Sequence, residues 1–261
     1  MMRAGDRLIL TLGALVLALT LVDILTGGGV AAWSADHLAS SAHTAGSALG
    51  LLGRIGWPLL LIPLLAALAG RFMTLPDALT GGLRRAISLI DTVSSSIGGA
   101  ARWFALGLVI ATATVVVQRY VFGYASTKLA ESVIYMHAFL FLFASASTLL
   151  SDGHVRVDIF YSKMSARGKA WVDLIGTYLA LIPMNILILW TSTGYMNSTW
   201  RILERSREAD GLPLVFALKT AIPLFAVLMI AQGVSMAARA ALTIAGDKAP
   251  ATPANASAGE L

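Results

Sequence analysis

The chain has 261 residues, of which 57% are hydrophobic and 13% charged, with a net charge of +5 and no cysteine. A soluble domain carries about 25% charged residues, so this balance, together with apolar runs near twenty residues, reads as a polytopic membrane protein. Disulfides, thiolate metal sites and cysteine nucleophiles are excluded, and the positive excess belongs to cytoplasmic loops rather than to nucleic acid.

Residues 8–27 form the first apolar run, behind Arg3 and Arg7. A signal peptide starts this way, but the run is longer than a usual signal core and no small-x-small cleavage site closes it, so it reads as a retained helix. Asp23, in its outer third, suits headgroup depth, with a buried helix contact as the alternative. Residues 28–54 are rich in Gly, Ala and Ser and read as an external loop, helical towards its end. His37 and His43 are six apart, which does not put them on one face for a metal. Residues 55–70 make the second span, with Trp57 at an interface and Pro63 as a kink.

Residues 71–100 carry Arg71, Arg84 and Arg85, and their Ile87, Ile90, Val93 and Ile97 recur at helical steps. They form either a short amphipathic helix in the headgroup plane or a helical lead-in to the third span, residues 102–119. The fourth span is 132–150. His137 within it reads as a helix-contact residue, because its helix holds no second ionisable group. A basic loop follows at 151–169, then a fifth span at 170–195 with Pro183 and Asn185, a loop of mixed charge at 196–212, and a sixth span at 213–245. Residues 246–261 have the composition of a disordered tail.

Six spans put both termini on one side of the membrane. The termini and the two loops on their side hold twelve Lys and Arg, against seven on the other. That bias places both termini in the cytoplasm. Enzyme templates are absent: there is no Walker loop, no His-Glu-x-x-His and no Gly-x-Ser-x-Gly elbow. A transporter that works alone shows internal repeats and polar groups at mid-membrane. Asn185 and Gln232 stand isolated instead, as helix-to-helix hydrogen-bonding residues.

One series of motifs narrows the class. It runs Arg119-Tyr-Val-Phe-Gly123, Ser126, Glu131, Gly153-His-Val-Arg-Val-Asp158, Ala166-Arg-Gly-Lys-Ala-Trp171 with Asp173, Gly211-Leu-Pro213, Lys219, Ile222-Pro223 and Gln232-Gly233. In order and spacing, over roughly residues 102–240, the chain resembles the small permease subunit (DctQ-type) of the tripartite ATP-independent periplasmic (TRAP) transporters, closest to the mannitol or chloroaromatic branch. It departs from that pattern at Leu129-Ala130-Glu131-Ser132, where many members have Trp-Ala-Glu-Glu.

The resemblance implies a four-helix core over 101–245 in an all-α transmembrane bundle; the 1–100 extension, with two further spans and an amphipathic connector, and the tail lie outside it. It implies a non-enzymatic scaffold in the bacterial inner membrane, surrounded by lipid. Its partners would be a large permease subunit (DctM-type), which holds substrate and sodium and moves elevator-fashion, and a periplasmic binding protein that delivers an organic acid. No cofactor is expected in this chain. The alternative is a stand-alone carrier or an accessory subunit of another membrane complex. Within this frame Arg119 and Glu131 either pair across one external hairpin or stay as solvated rim charges. His154, Arg156 and Asp158 alternate at the inner face, as contacts to a neighbouring helix or the large subunit, or with Asp158 as a helix cap. Lys219 is a further interface candidate, and Arg201, Glu204, Arg205, Arg207 and Glu208 face a docking partner or water.

Overall fold

The computed structural model describes residues 3–153 and 158–251. These form helices α1 (Ala4–Leu25), α2 (Gly29–Gly56), α3 (Ile62–Gly70), α4 (Asp77–Val121), α5 (Thr127–Leu150), α6 (Asp158–Tyr161), α7 (Ala166–Gly176), α8 (Ile182–Arg201) and α9 (Val215–Ala245). No strand occurs among the described residues. A 3-10 segment, Trp57–Leu61, joins α2 to α3, and a π-helical turn, Thr177–Leu181, joins α7 to α8. Both precede or contain proline (Pro58, Pro63, Pro183), which removes a backbone donor and crowds the carbonyl four residues earlier. Counting each joined pair as one rod, six helical rods are long and apolar enough to cross a membrane. The fold is therefore an all-α polytopic bundle, and its many outward Leu, Ile, Val and Phe side chains suit a lipid surround.

The longest helix organises the rest. α4 has 45 residues, about 67 Å at 1.5 Å per residue, more than twice the ~30 Å hydrocarbon core. It serves two layers. Its second half, from Arg102, pairs with α5. Its first half joins α3, α7 and the end of α9 in a compact lower cluster built on Ala66, Ala67, Leu83, Ile87, Leu174, Ala241, Leu242 and Ile244. Of the two readings of 71–100, the structure has the continuous lead-in, and position 100/101 lies inside α4. The apolar stripe read as one helical face is split between burial and exposure. Ile87 is buried, Ile90 and Ile97 are half-buried and Val93 is exposed. The buried face is Thr80, Leu83, Ile87, Asp91, Ser94, Ser95 and Gly98.

The segment 28–54, expected as a loop, is helical throughout. Gly27 and Gly28, at φ 63 and 94, turn the chain between α1 and α2, and Asp23 Oδ1 accepts from the Ala31 N–H at 2.8 Å. Asp23 thus caps the start of α2 at the rim. α1 rests on α4 where Gly5 meets the Gly99 backbone, a contact too close for any Cβ, and Trp103 Nε1 donates to Asp6 Oδ1 at 3.1 Å. The start of the segment expected to be a disordered tail is packed. Gly246 (φ 86) ends α9, the Asp247 N–H returns to the Leu242 carbonyl at 2.8 Å, and Arg84 pairs with Asp247 at 3.0 Å. This is a left-handed helix stop that lays residues 247–251 on the lower cluster; residues 252–261 lie outside the described part.

Helices α4 and α5 cross at Gly98, where a Cβ would strike Ser147. Gly98→Val is expected to lower the free energy of unfolding in mixed detergent micelles by about 1–3 kcal/mol through overpacking. Gly82→Val, at an open position on the same helix, serves as the control.

Candidate functional site

The polar side chains gather at the two ends of the bundle. At the upper end α4 closes with Gly123 in the left-handed region (φ 66), which explains the glycine of the Arg119-Tyr-Val-Phe-Gly motif. The Tyr124 N–H donates back to the Gln118 carbonyl at 3.0 Å. Ser126 then caps α5, its Oγ accepting from the Leu129 N–H at 3.4 Å. One turn into α5 stands Glu131. Its Oε2 accepts from the Leu212 N–H at 2.6 Å and its Oε1 accepts from the Ser206 hydroxyl. Glu131 therefore ties the loop between α8 and α9 to α5. Of the two readings, a pair with Glu131 or solvated rim charges, Arg119 takes the second: it lies exposed in the last turn of α4 with no ion pair among the described residues, while Glu131 binds the loop.

The same loop has a second tie. Lys219 Nζ on α9 pairs with Glu204 Oε2 at 2.6 Å, and the Thr199 hydroxyl donates to the same oxygen at 2.7 Å. Trp200 Nε1 donates to Thr220 Oγ1 at 2.9 Å, with the indole edge-on to Phe216 at 4.9 Å. The Lys219 ammonium, and then the Thr199 hydroxyl, hold the Glu204 carboxyl below the usual glutamate range. Glu204 belongs to this internal tie rather than to a docking face. Arg201, Arg205, Arg207 and Glu208 are the exposed charges of the loop, while Lys128 and Asp210 pair with each other at 2.7 Å.

At the lower level the centre is Asp91. Its carboxylate is 1% exposed and is held entirely by α9. Ser235 Oγ donates to Oδ1 at 2.7 Å, Gln232 Nε2 donates to Oδ1 at 3.2 Å, and Arg239 pairs with Oδ2. Arg239 also donates to the Pro250 carbonyl. Residues 232, 235 and 239 are three and four apart, so they form one polar face of α9. That spacing is visible in the sequence, where Gln232 reads as an isolated residue. Nearby, Tyr161 OH donates to both Asp173 oxygens at 2.9 and 3.0 Å, and Lys169 lies 5.3 Å over the Tyr161 ring. This places Asp173 of the motif series at the α6–α7 corner. His154 and Arg156 lie outside the described residues; Asp158 opens α6, and its side chain is likewise outside them. His137 is exposed and packs against Phe141 at 4.7 Å. No group of three His, Asp or Glu able to hold a metal occurs among the described residues.

These ties have one chemistry in common. Each joins helices or a loop to a helix, and none aligns a nucleophile, a base and an open space for a substrate. The bundle and its ties define a multi-pass membrane protein whose polar groups hold helices in place. Residues 108–243, more than half of the chain, match the family model for the DctQ component of the tripartite ATP-independent periplasmic transporters. The chain belongs to that family, and is thus the small subunit of a transport system rather than a recognisable catalyst. No curated protein and no solved structure matches it.

Two outcomes test the ties. Asp91→Ala leaves the Arg239 charge without its partner and is expected to cost about 3–5 kcal/mol of stability; Asp91→Ala/Arg239→Met should recover a good part of it. For Glu204 the carboxyl is depressed in the folded state, so its contribution is full above the ordinary value of 4.5 and fades as pH falls through the lowered folded value. The difference in melting temperature between the protein and Glu204→Gln should therefore be constant at neutral pH and vanish in acid. A difference that grows on acidification would contradict the Lys219–Glu204 tie.

Proposed function

We propose that this chain is the fixed membrane scaffold of a sodium-driven, binding-protein-dependent uptake system of a bacterial inner membrane. In this reading it supports a large elevator-type subunit (DctM-type), which carries the substrate and sodium sites, while a periplasmic binding protein delivers an organic acid. The chain itself takes no cofactor. Both termini lie in the cytoplasm, so the α8–α9 loop faces the periplasm. The Lys and Arg distribution supports that orientation. With α2 and α3 read as one crossing rod, Arg54, in the last turn of α2, moves from the outer count to the inner one.

The observation that carries the reading is the double tie of the α8–α9 loop, by Glu131 from α5 and by Lys219 from α9. A subunit that stands still while its neighbour slides needs rims that keep their shape and lateral faces that are apolar. The polar side chains at this rim are used for attachment, and many Leu, Ile, Val and Phe side chains face outward. The exposed Arg201, Arg205 and Arg207 on the tied loop suit an acidic face of the binding protein.

Reconstitution tests the proposal. Proteoliposomes holding this chain, the large subunit and the binding protein should take up an organic acid when sodium is higher outside. Omitting this chain should abolish uptake, and the chain alone should move nothing. Transport by the chain alone would establish the stand-alone carrier instead.

A further inference from the structure

Helix α2 lies outside the residues that match the family, and it is poorly covered. Among the described residues its main contacts are with α1, α8 and the 3-10 turn that follows it. None of its described residues is buried. Yet it runs back from the turn at Gly27–Gly28 beside the span α1, and leads to the lower cluster, where the Tyr178 hydroxyl donates to the Leu60 carbonyl. Its middle is thus at membrane depth.

One exposed face of α2 is not a lipid face. Asp36, Ser40, His43, Ser47, Gly50 and Arg54 follow one another at steps of four and three, and all are exposed. That spacing is the seam of a packed helix pair. Five turns, about 27 Å, separate Asp36 from Arg54, close to the ~30 Å hydrocarbon thickness. His43 is therefore near mid-depth, and its imidazole has no hydrogen-bond partner among the described residues. An ionisable side chain at that depth faces protein or a water-filled cavity in nearly every known case. The residues Ser47, Gly50, Leu51 and Arg54 also line a shallow notch of about 370 Å³, shaped for a knob from a neighbouring helix.

The charges say what kind of helix fits. Two copies inserted in the same sense would pair α2 in parallel, putting Asp36 against Asp36 and Arg54 against Arg54. An antiparallel pair would need one copy inverted in the membrane, against the Lys and Arg bias. We propose that this seam is covered by a transmembrane helix of a second polypeptide. That helix has small residues at its contact face, a hydrogen-bonding group at the depth of His43, a basic residue near the rim of Asp36 and a carboxylate near Arg54. The proposal rests on the chain being one subunit of the assembly proposed above, and the large subunit of that assembly is the probe.

The chain has no cysteine, so single sites can be labelled without further changes. Ser47→Cys and Gly50→Cys, each carrying a benzophenone maleimide, are irradiated in membranes that co-express the large subunit and the binding protein. Val16→Cys, on the lipid-exposed side of α1, is the control. The expected result is an adduct with the large subunit, identified by its peptides, at both seam sites and at least tenfold weaker at the control. Adding Arg54→Glu should lower the Gly50→Cys adduct about tenfold, and Arg54→Lys should keep it. Adducts between two copies of this chain would overturn the proposal. So would seam adducts no stronger than the control while the assembly still co-purifies, which would leave the subunit reading intact. Failure of the large subunit to co-purify at all would overturn both.

Discussion

The Asp91 carboxylate is the contact on which the lower half of the molecule depends. It sits on the first half of α4, and every partner it has is on one face of α9. A buried charge left alone costs several kcal/mol, so the two helices are held at one register as well as together. Around that register the small residues close the cluster. Ala237, Ala238, Ala240 and Ala241 on α9 let α3, α4 and α7 approach closely, as helices in lipid do when packing rather than water drives them together.

The upper half uses the same physics with a different result. Glu131 and Glu204 are carboxylates at the upper end of the bundle, each half-buried against the α8–α9 loop. Their ties therefore hold a loop rather than cement a core. Ser206, Leu212, Thr199 and Lys219 together fix the α8–α9 connection from three sides. A rim held in this way, and a lower cluster locked by Asp91, leave the middle of the bundle free of charge. That division suits a subunit whose broad faces meet lipid and neighbours.

Much of this was legible in the chain. The six crossings follow from run length and charge deficit, since lipid selects for both without regard to packing. Gly123, Ser126 and Glu131 could be placed at one rim because a glycine stop, a serine cap and an acid just inside a span have local meanings. The 28–54 segment was harder. Its Gly, Ala and Ser content reads as loop when water is the assumed solvent, and as helix once a neighbouring span sets its depth.

Composition and local chemistry alone determined that the protein crosses a membrane on helices, roughly where it crosses, and which motif series it carries. Tertiary structure alone decided which polar groups meet. Glu131 lies near Arg119 in sequence yet binds Ser206 and Leu212, 75 and 81 residues away. Asp91 finds its partners more than 140 residues on. A carboxylate specifies that it needs donors, and a short spacing can suggest them. Only the arrangement of helices, set by close contacts such as those at Gly5 and Gly98, brings the donors that satisfy it.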